Sequence, residues 1–370
     1  MTDLFLHNLD ALPASSTVCI VGKKGRCSRL RKLLETLRPD LRIIRLIDTD
    51  CVDLIHSPEL SRTSRAGRQM RSADFILIAQ TKFRQTVALL QQEGMPPCRV
   101  VNPNFYHPFI QFPSSSERLA GRLEEAKQIL HRDEDRAIYD VILKSLSPRG
   151  DWTGVYHTLL EICGEPERQY LDFVDASSIR TVLEGGIGDG LTTIRMFRRF
   201  RRPIIHGLDP DTENYRQSYL REYIEASRSI HIHPIGLWSS PCRLPFQFSD
   251  PGRSSVPGVD RNPGSSDRVE ATSIDAFVRG AGITKLDFIK LDLEGADFEA
   301  IKGAAETIHS HRPQIAVCMY HRLEHYYEIP LFIASHAADY LFRVGHYSPI
   351  HVFSETVLYA IPKEKVKSAS

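Results

Sequence analysis

The segment TVLEGGIGDGLTTIRMF at residues 181–197 constrains the fold of this chain more than any other stretch. It opens with apolar residues typical of a buried strand, continues through a glycine-rich turn and ends with apolar residues at helical spacing. A strand, a glycine turn and a helix in this order predict an α/β unit with a ligand site at the turn. Such turns bind dinucleotides, nucleoside triphosphates and S-adenosylmethionine alike, so the turn alone does not choose among them.

Strands alternate with helical stretches on both sides of a helical interval. TVCIVG, LRIIRLID and ADFILIA read as strands of a first parallel sheet, and CRVVNP at 98–103 reads as a fourth. Leucines and alanines then recur at helical spacing, before a second alternating block begins. The predicted organisation is a smaller α/β domain, a helical linker, a larger α/β domain and a tail, at residues 1–113, 114–165, 166–362 and 363–370. The Ser-, Pro- and Gly-rich segment 249–268 predicts a mobile surface loop.

Composition excludes several function classes. The formal net charge of +1 provides no global field toward nucleic acid or an anionic membrane. The chain has no apolar run near the ~20 residues of a spanning helix, and its first residues have no basic region typical of a secretion signal. Seven cysteines occur without a CxxC pair, which indicates reduced thiols rather than a zinc cluster. We therefore predict a cytoplasmic protein with no transmembrane segment.

The arginines around residues 195–202 do not change that assignment. They lie on a helix whose apolar residues, Leu191, Ile194 and Phe197, predict its inner face, so the arginines form its solvated side. No aromatic and basic platform accompanies them elsewhere. No nucleic acid partner is predicted.

The residues of the glycine turn separate its candidate ligands. A phosphate-binding P-loop needs Lys and then Ser or Thr after its last glycine, but Gly190 is followed by Leu191. The run Gly186–Gly190 is one residue too short for the G-x-G-x-x-G pattern of dinucleotide sites. Glu184 at the end of the strand suits S-adenosylmethionine, whose amino acid portion it can hydrogen-bond. Gly186 and Gly188 then let the backbone approach the cofactor without a Cβ.

Two later features complete the fold prediction. The strand in RPIIHGLDPD ends at Asp209, where an acid can bind two ribose hydroxyls, which supports an adenosine ligand of either kind. The last two strand-like segments, YLFRVGHYS and ETVLYAIP, are too close together for a crossover helix and must pair antiparallel. A parallel sheet closed by an antiparallel hairpin is typical of class I methyltransferases, so the turn is interpreted as a methyl-donor site.

Several ordered motifs resemble the FkbM family of methyltransferases. They are ERQYLDFVD, VEATSIDAF, LDFIKLDLEGADFEAIKGA, RPQIAVCMYHRLEHYYEIPLFI and GHYSPIHVFSETVLYA. The resemblance spans roughly residues 166 to 362 and implies a mostly parallel seven-stranded Rossmann-like sheet. It also implies S-adenosylmethionine-dependent O-methylation, often of sugar hydroxyls in polysaccharides, glycolipids or natural products. The acceptor is thus expected to be a glycan or a small molecule with a hydroxyl.

The first domain resembles a Rossmann-like unit that precedes this domain in some bacterial members. It departs from a working dinucleotide site, because VGKKGRCSRL offers only Gly22 and Gly25. We expect this domain to be structural or to help present the acceptor.

Candidate catalytic residues follow the later strands. Asp292 and Glu294 end one strand, where either can orient the acceptor, hold the ammonium group of the cofactor or bind a divalent cation. Glu294 can alternatively cap the next helix. We predict Asp292 as catalytic, Glu294 as cofactor-binding and no metal site. His321, at the end of the following strand, is the preferred general base because an unperturbed histidine titrates near neutrality; a structural histidine is the alternative. The stretch HPIGLWSS resembles the family's loop beside the adenine, which implies that Ile235 contacts the ring.

Two other functions stay open at this point. One is a binding module that keeps the cofactor fold without catalysis. The other is a zinc peptidase, because HRLEH at residues 321–325 matches the H-x-x-E-H pattern. That pattern needs both histidines on one helix, whereas here it follows a strand and precedes Pro330, which we expect to disrupt a continuing helix.

Overall fold

The computed structural model describes residues 12–22, 24–48, 64–79, 90, 92, 94, 100–101, 117–145, 158–218, 220–246, 268–348 and 352–366. Within the chain, contacts define two compact units. The smaller comprises Met1–Glu117, Asp140–Glu161 and Ile350–Val352, and the larger comprises Arg118–Tyr139, Ile162–Pro349 and Phe353–Ser370. The predicted domain boundary at residue 113 and the predicted loop, apart from Arg268, lie outside the described residues.

The smaller unit contains a four-stranded parallel sheet in the order β2-β1-β3-β4. Its elements are β1 (Thr17–Gly22), α1 (Lys24–Leu37), β2 (Arg42–Asp48), α2 (Arg65–Ser72), β3 (Phe75–Ala79) and β4 (Val100–Val101). Of the predicted strand at 98–103, the described residues include only β4. A Cβ on Gly22 would overlap the backbone of Ala79, so this glycine allows β1 and β3 to pack closely.

Two helices, α3 (Glu117–Gln128) and α4 (Asp133–Ser145), lie where a helical linker is predicted. The residues Arg118–Tyr139 group with the larger unit. Within that unit, the carboxylate of Asp135 in the first turn of α4 accepts hydrogen bonds from Arg343 Nε at 2.7 Å and Val344 N at 2.9 Å.

The larger unit is built on a seven-stranded sheet. The strands of this unit, which include three outside that sheet, are β5 (Thr181–Gly185), β6 (Ile204–Leu208), β7 (Ile230–His233), β8 (Gly236–Leu237), β9 (Cys242–Pro245), β10 (Arg268–Thr272), β11 (Phe288–Leu291), β12 (Gln314–Cys318), β13 (Tyr340–His346) and β14 (Thr356–Pro362). Its helices are α5 (Leu191–Arg199), α6 (Glu213–Gln217), α7 (Arg221–Ala226), α8 (Ile274–Gly280), α9 (Asp297–Lys302), α10 (Ala305–His311) and α11 (His325–His336). Short 3-10 turns occupy Pro166–Arg168 and Lys363–Lys365.

The sheet order is β7-β6-β5-β11-β12-β14-β13, and β14 runs opposite to the other six strands. The prediction of a parallel sheet closed by a C-terminal antiparallel hairpin is therefore confirmed. A second sheet of three short strands, in the order β8-β10-β9, carries part of the wall of the site described below.

Both faces of the large sheet are covered. Every residue of β11 and β12 is buried, which is typical of central parallel strands between two helix layers. Phe288 of β11 packs edge-to-face on Phe200, with ring centroids 5.2 Å apart. On the predicted inner face of α5, Ile194 is buried and Phe197 packs against the same hydrophobic core, and Thr193 and Met196 are buried as well. An ionisable side chain on a strand like β11 must therefore find its partners inside the protein.

Pro330 lies inside α11, so the prediction that it would disrupt a helix is wrong. A proline at this position cannot donate a hydrogen bond to the carbonyl of Tyr326, four residues earlier. The buried hydroxyl of Tyr139 on α4 donates to that carbonyl instead, at 2.6 Å. The helix tolerates the proline because a neighbouring side chain satisfies the acceptor.

Candidate active site

A cavity of about 230 Å³ opens at the carboxyl ends of β5, β6 and β11. Ligands of open α/β sheets bind at this edge. The lining includes many of the predicted site residues and one that the sequence argument missed: Gly186, Gly188, Asp209, Asp292, Glu294 and Lys290. The arrangement brings residues far apart in the chain into one pocket.

The glycines of the first turn serve two different purposes. Gly186 and Gly188 adopt positive φ of 78° and 58°, a conformation that favours glycine. A Cβ on Gly186 would overlap the carbonyl oxygen of Asp292, so this glycine makes room for the neighbouring backbone. A Cβ on Gly188 would meet no heavy atom within 4 Å. Gly188 is therefore the position where the turn leaves space beside the cavity.

Asp209 follows β6 and supports the glycine turn. Its Oδ2 accepts hydrogen bonds from Ile187 N at 2.9 Å and Gly188 N at 3.4 Å, and its Oδ1 accepts one from Asp211 N at 2.9 Å. Burial raises the pKa of Asp209, and the three N–H donors oppose that shift. Oδ1 keeps the capacity to accept a ligand hydroxyl, because a carboxylate oxygen has two lone pairs.

Glu184 lies beneath the turn. The register of β5 and β11 sets it directly beside Lys290, and the two charged groups are 3.6 Å apart at 0% and 3% side-chain exposure. The hydroxyl of Thr193 donates to the other carboxylate oxygen at 2.7 Å. Glu184 is predicted to contact a cofactor; in this arrangement we expect it to act indirectly, through Lys290 and the turn.

Lys290 contacts the buried Glu184 and also lines the cavity. Its ammonium donates to the carbonyl of Gly186 and lies 5.1 Å from the centre of the Tyr170 ring. Burial lowers the pKa of Lys290, but the carboxylates of Glu184 and Asp292 outweigh burial and raise it. A buried, charged side chain thus stabilises the glycine turn through the carbonyl of Gly186.

The carboxylate of Asp292 is oriented by Tyr170, which precedes β5 in the chain. The hydroxyl of Tyr170 donates to Asp292 Oδ2 at 2.7 Å, and the Tyr170 backbone N–H donates to the hydroxyl of Tyr359 at 2.9 Å. Asp292 Oδ1 is buried and makes no hydrogen bond with any described residue. Tyr170 therefore fixes one oxygen of Asp292, while the other has no hydrogen-bond partner among the described residues.

His321, three residues beyond β12, closes a cluster of charges. Its Nδ1 lies 2.9 Å from Asp297 Oδ2. Its Nε2 lies 3.4 Å from Asp292 Oδ1 and 3.7 Å from Glu294 Oε2. Burial opposes protonation of the imidazole, but these carboxylates, Asp297 first, raise the pKa of His321 to about 10. This raised pKa departs from the near-neutral value on which the prediction of a general base depended, and the role of His321 as a base stays a prediction.

Two further histidines, His346 and His325, have different surroundings, although His325 Nδ1 also lies 3.9 Å from Asp297 Oδ2. His346 is buried in the terminal hairpin, where its ring nitrogens contact Thr356 Oγ1 at 2.8 Å and Ser348 O at 2.7 Å. His325 begins α11, whereas His321 precedes that helix, so the two do not share a helix face as a zinc peptidase motif requires. Burial lowers the pKa of His325 to about 4.

Sequence reasoning missed three of these residues. Lys290 and Asp297 stand inside the motif that carried the resemblance, and Tyr170 stands in ERQYLDFVD, but none was assigned a role. Near the predicted adenine contact, the described lining contains Gly236 and Leu237 rather than Ile235. The adenine contact of Ile235 stays a prediction.

Comparison with known proteins agrees with the fold. Residues 184–344 match the family model described as the methyltransferase FkbM domain. A solved methyltransferase FkbM from Methylobacillus flagellatus KT is 19% identical, with 94% of this chain and 90% of that chain covered and a TM-score of 0.58. No curated protein sequence matches the chain. In the parts of the chain that the structure describes, no helix is long and apolar enough to cross a membrane.

Two more distant structures are also methyltransferases, but their scores are too low to support an argument. Human N-acetylserotonin methyltransferase, solved with S-adenosylmethionine, is 10% identical, with 70% of each chain covered and a TM-score of 0.28. Precorrin-6y C5,15-methyltransferase from Geobacter metallireducens is 13% identical, with 56% of this chain and 86% of that chain covered and a TM-score of 0.27.

Proposed function

The chain contains a methyltransferase FkbM domain at residues 184–344, and we propose that it transfers a methyl group from S-adenosylmethionine to a hydroxyl oxygen. A sugar hydroxyl of a polysaccharide, glycolipid or natural product in the cytoplasm is the proposed acceptor. The observation that carries the proposal is the single cavity that joins the glycine turn and Asp209 to Asp292 and Glu294.

The cavity residues that follow β5 and β6, together with those of β8, suit the cofactor. Gly188 leaves open space at the turn, and Asp209 keeps acceptor capacity for the ribose hydroxyls beside it. Leu237 supplies an apolar surface in the same cavity. These residues would hold the adenosine portion, and Glu294 would lie on the opposite side with the capacity to accept hydrogen bonds from an ammonium group.

S-adenosylmethionine, when bound, supplies an electrophilic methyl group on a sulfonium. The chain must then bring a hydroxyl oxygen into line and receive its proton. Asp292 Oδ1 is suited to accept the hydrogen bond of that hydroxyl, because Tyr170 fixes the other oxygen of the same carboxylate. With its pKa near 10, His321 carries a proton at neutral pH, so we assign the proton-accepting role to the carboxylates rather than to this histidine.

Calorimetric titration with S-adenosylmethionine, S-adenosylhomocysteine and NADH tests the cofactor. We expect one-site binding of the first two and none of NADH. Asp209→Ala should weaken binding by about 1–3 kcal/mol, because ligand hydroxyls and the turn amides lose their acceptor. Asp133→Ala removes a carboxylate whose side chain is 97% exposed and serves as the matched control. A folded protein that binds neither sulfur compound would contradict the proposal and favour the inactive binding module.

Transfer itself is tested with S-adenosylmethionine labelled in its methyl group. The acceptor panel should contain oligosaccharides, glycolipids and simple polyols, with amines of similar size as the comparison. Mass spectrometry of fragmented products then locates the methyl group. Methyl groups on oxygen support the proposal, whereas methylation only of nitrogen or carbon would refute the O-methyltransferase assignment.

A further inference from the structure

We propose that Asp292, Glu294 and His321 form a binding site for one divalent cation. Only the role of the ion in methyl transfer rests on the proposed function. The test measures binding of the ion and does not depend on catalysis. The three candidate ligand atoms, one from each residue, all lie within 4.8 Å of one another. Ligands of one ion at roughly 2.1–2.2 Å stand about 3 to 4.4 Å apart, so small side-chain adjustments suffice.

Two buried atoms point to a missing ligand at this place. Asp292 Oδ1 and His321 Nε2 are both buried and make no hydrogen bond with any described residue. The side chain of His321 is only 7% exposed, and these two atoms are 3.4 Å apart. Buried polar groups of this kind are normally satisfied by a partner, and a cation would satisfy both at once.

The surrounding contacts orient the ligands as metal sites require. His321 Nδ1 bonds to Asp297 Oδ2 at 2.9 Å, which leaves Nε2 directed toward the cluster. Asp297 is itself fully buried and accepts hydrogen bonds from Leu293 N at 2.9 Å and Gly295 N at 3.1 Å. A carboxylate behind a histidine is the usual support of a metal-bound imidazole. Tyr170 performs the corresponding task for Asp292.

The charges of the cluster also favour a cation. Three carboxylates, those of Asp292, Glu294 and Asp297, lie around the imidazole of His321. A second imidazole, that of His325, lies 3.9 Å from Asp297 and is not one of the three proposed ligands. The nearby Lys290 is engaged with Glu184 and the turn carbonyls. A bound divalent ion would place two positive charges among these carboxylates.

Two carboxylates and one imidazole are a mixed oxygen and nitrogen set, which suits a divalent first-row ion such as Mn²⁺. Three protein ligands leave positions for water or for a substrate oxygen. An ion there would lower the pKa of a bound hydroxyl and hold it beside the glycine turn. The sequence prediction of no metal site would then be wrong, because the spacing of these residues in the chain does not indicate that His321 lies beside the two acids.

Binding of Mn²⁺ to the full chain, freed of metal by chelation, tests the site without cofactor or acceptor. We expect one ion per chain by calorimetry. The electron paramagnetic resonance signal of free Mn²⁺ should decrease by the same stoichiometry. Pulsed electron resonance should detect coupling to a histidine nitrogen. Asp292→Asn and His321→Gln should each weaken binding at least tenfold, and His321→Gln should abolish the nitrogen coupling. The surface variants Glu306→Gln and His336→Gln should bind as the wild type does.

The wild-type result alone is decisive if a variant fails to fold. No saturable binding up to millimolar Mn²⁺ would overturn the proposal, as would unchanged affinity in both folded site variants. Asp297→Asn adds a test of the support, with an expected loss of about 10- to 100-fold in affinity. Binding of S-adenosylhomocysteine in the presence of chelator separates the two proposals. If it persists while Mn²⁺ does not bind, only the metal inference fails; if Mn²⁺ binds and the cofactor does not, the proposed function fails.

Discussion

Replacement of Lys290 by methionine should destabilise the larger unit far more than loss of an ordinary lysine. The ammonium of Lys290 lies 3.6 Å from the carboxylate of Glu184 and donates to the Gly186 carbonyl. Methionine keeps much of the side-chain volume but removes the charge and the donor. The fully buried carboxylate would retain the hydroxyl of Thr193 as its hydrogen-bond donor.

The expected cost follows from that burial. Removal of one partner from a buried ion pair leaves an uncompensated charge, which costs about 3–5 kcal/mol. Glu184→Gln together with Lys290→Met removes both charges, and we expect this double variant to recover more than half of the loss. Burial raises the pKa of Glu184 in the folded chain. Such a carboxyl destabilises the fold above its pKa, so the deficit of Lys290→Met should shrink as pH falls from 8 toward 5.

Urea unfolding at several pH values measures these differences. The chain has two tryptophans, Trp152 and Trp238, and Trp238 belongs to the larger unit. Its fluorescence in a Trp152→Phe background therefore reports on the unit that carries the pair. The control is Lys302→Met, which removes a lysine bonded to Glu299 at 2.6 Å with 36% side-chain exposure. A partly exposed pair of this kind contributes less than about 1 kcal/mol.

Equal losses of unfolding free energy for Lys290→Met and Lys302→Met would refute the argument. A lysine in a buried ion pair should contribute more to stability than one in a partly exposed pair. A double variant no more stable than Lys290→Met would refute it differently. In that case the carbonyl of Gly186, rather than the carboxylate of Glu184, would be the group that depends on the lysine. Titration of S-adenosylhomocysteine into the same variants tests whether Glu184 affects the cofactor only through the turn.

Two further predictions concern the backbone around the site. Gly188→Ala should cost about 1–2 kcal/mol in urea unfolding, the price of a left-handed alanine, whereas Gly186→Ala should cost more because its Cβ also overlaps neighbouring backbone; equal losses would contradict the packing role of Gly186. Tyr139→Phe should cost about 1–3 kcal/mol because the carbonyl of Tyr326 loses its donor. That loss should be smaller in a Pro330→Ala background, where an amide returns, and an unchanged loss would disprove this explanation.

The larger sheet was predictable because its signals are local and repeated. Each strand is a short apolar run, and each glycine turn or acid lies where such a run ends. The short connection before Glu355 required an antiparallel hairpin, and β13 and β14 form one. Pro330 was mispredicted because the compensating group, Tyr139, lies almost two hundred residues away in the sequence. Local propensity cannot register a donor that only the tertiary structure supplies.

The site was predictable residue by residue but not as a network. Gly188, Asp209, Asp292 and Glu294 line one cavity because each closely follows a strand that ends at the same edge of the sheet. The sequence could not indicate that Lys290 would lie beside Glu184, since that depends on the register between β11 and β5. Such pairings become visible only once the strands are aligned.

His321 shows how far one such contact changes the chemistry inferred from a residue type. In isolation a histidine at the edge of a sheet suggests a base that titrates near neutrality. Here Asp297 approaches one ring nitrogen at 2.9 Å while Asp292 and Glu294 face the other. The same carboxylates that make the ring a poor base in its protonated form would make it a good metal ligand once a cation displaces the proton. The role of His321 therefore depends on whether its Nε2 binds a proton or a metal ion. With a proton, the ring balances part of the negative charge of the acids around it. With a metal ion, the ring is one of the ligands.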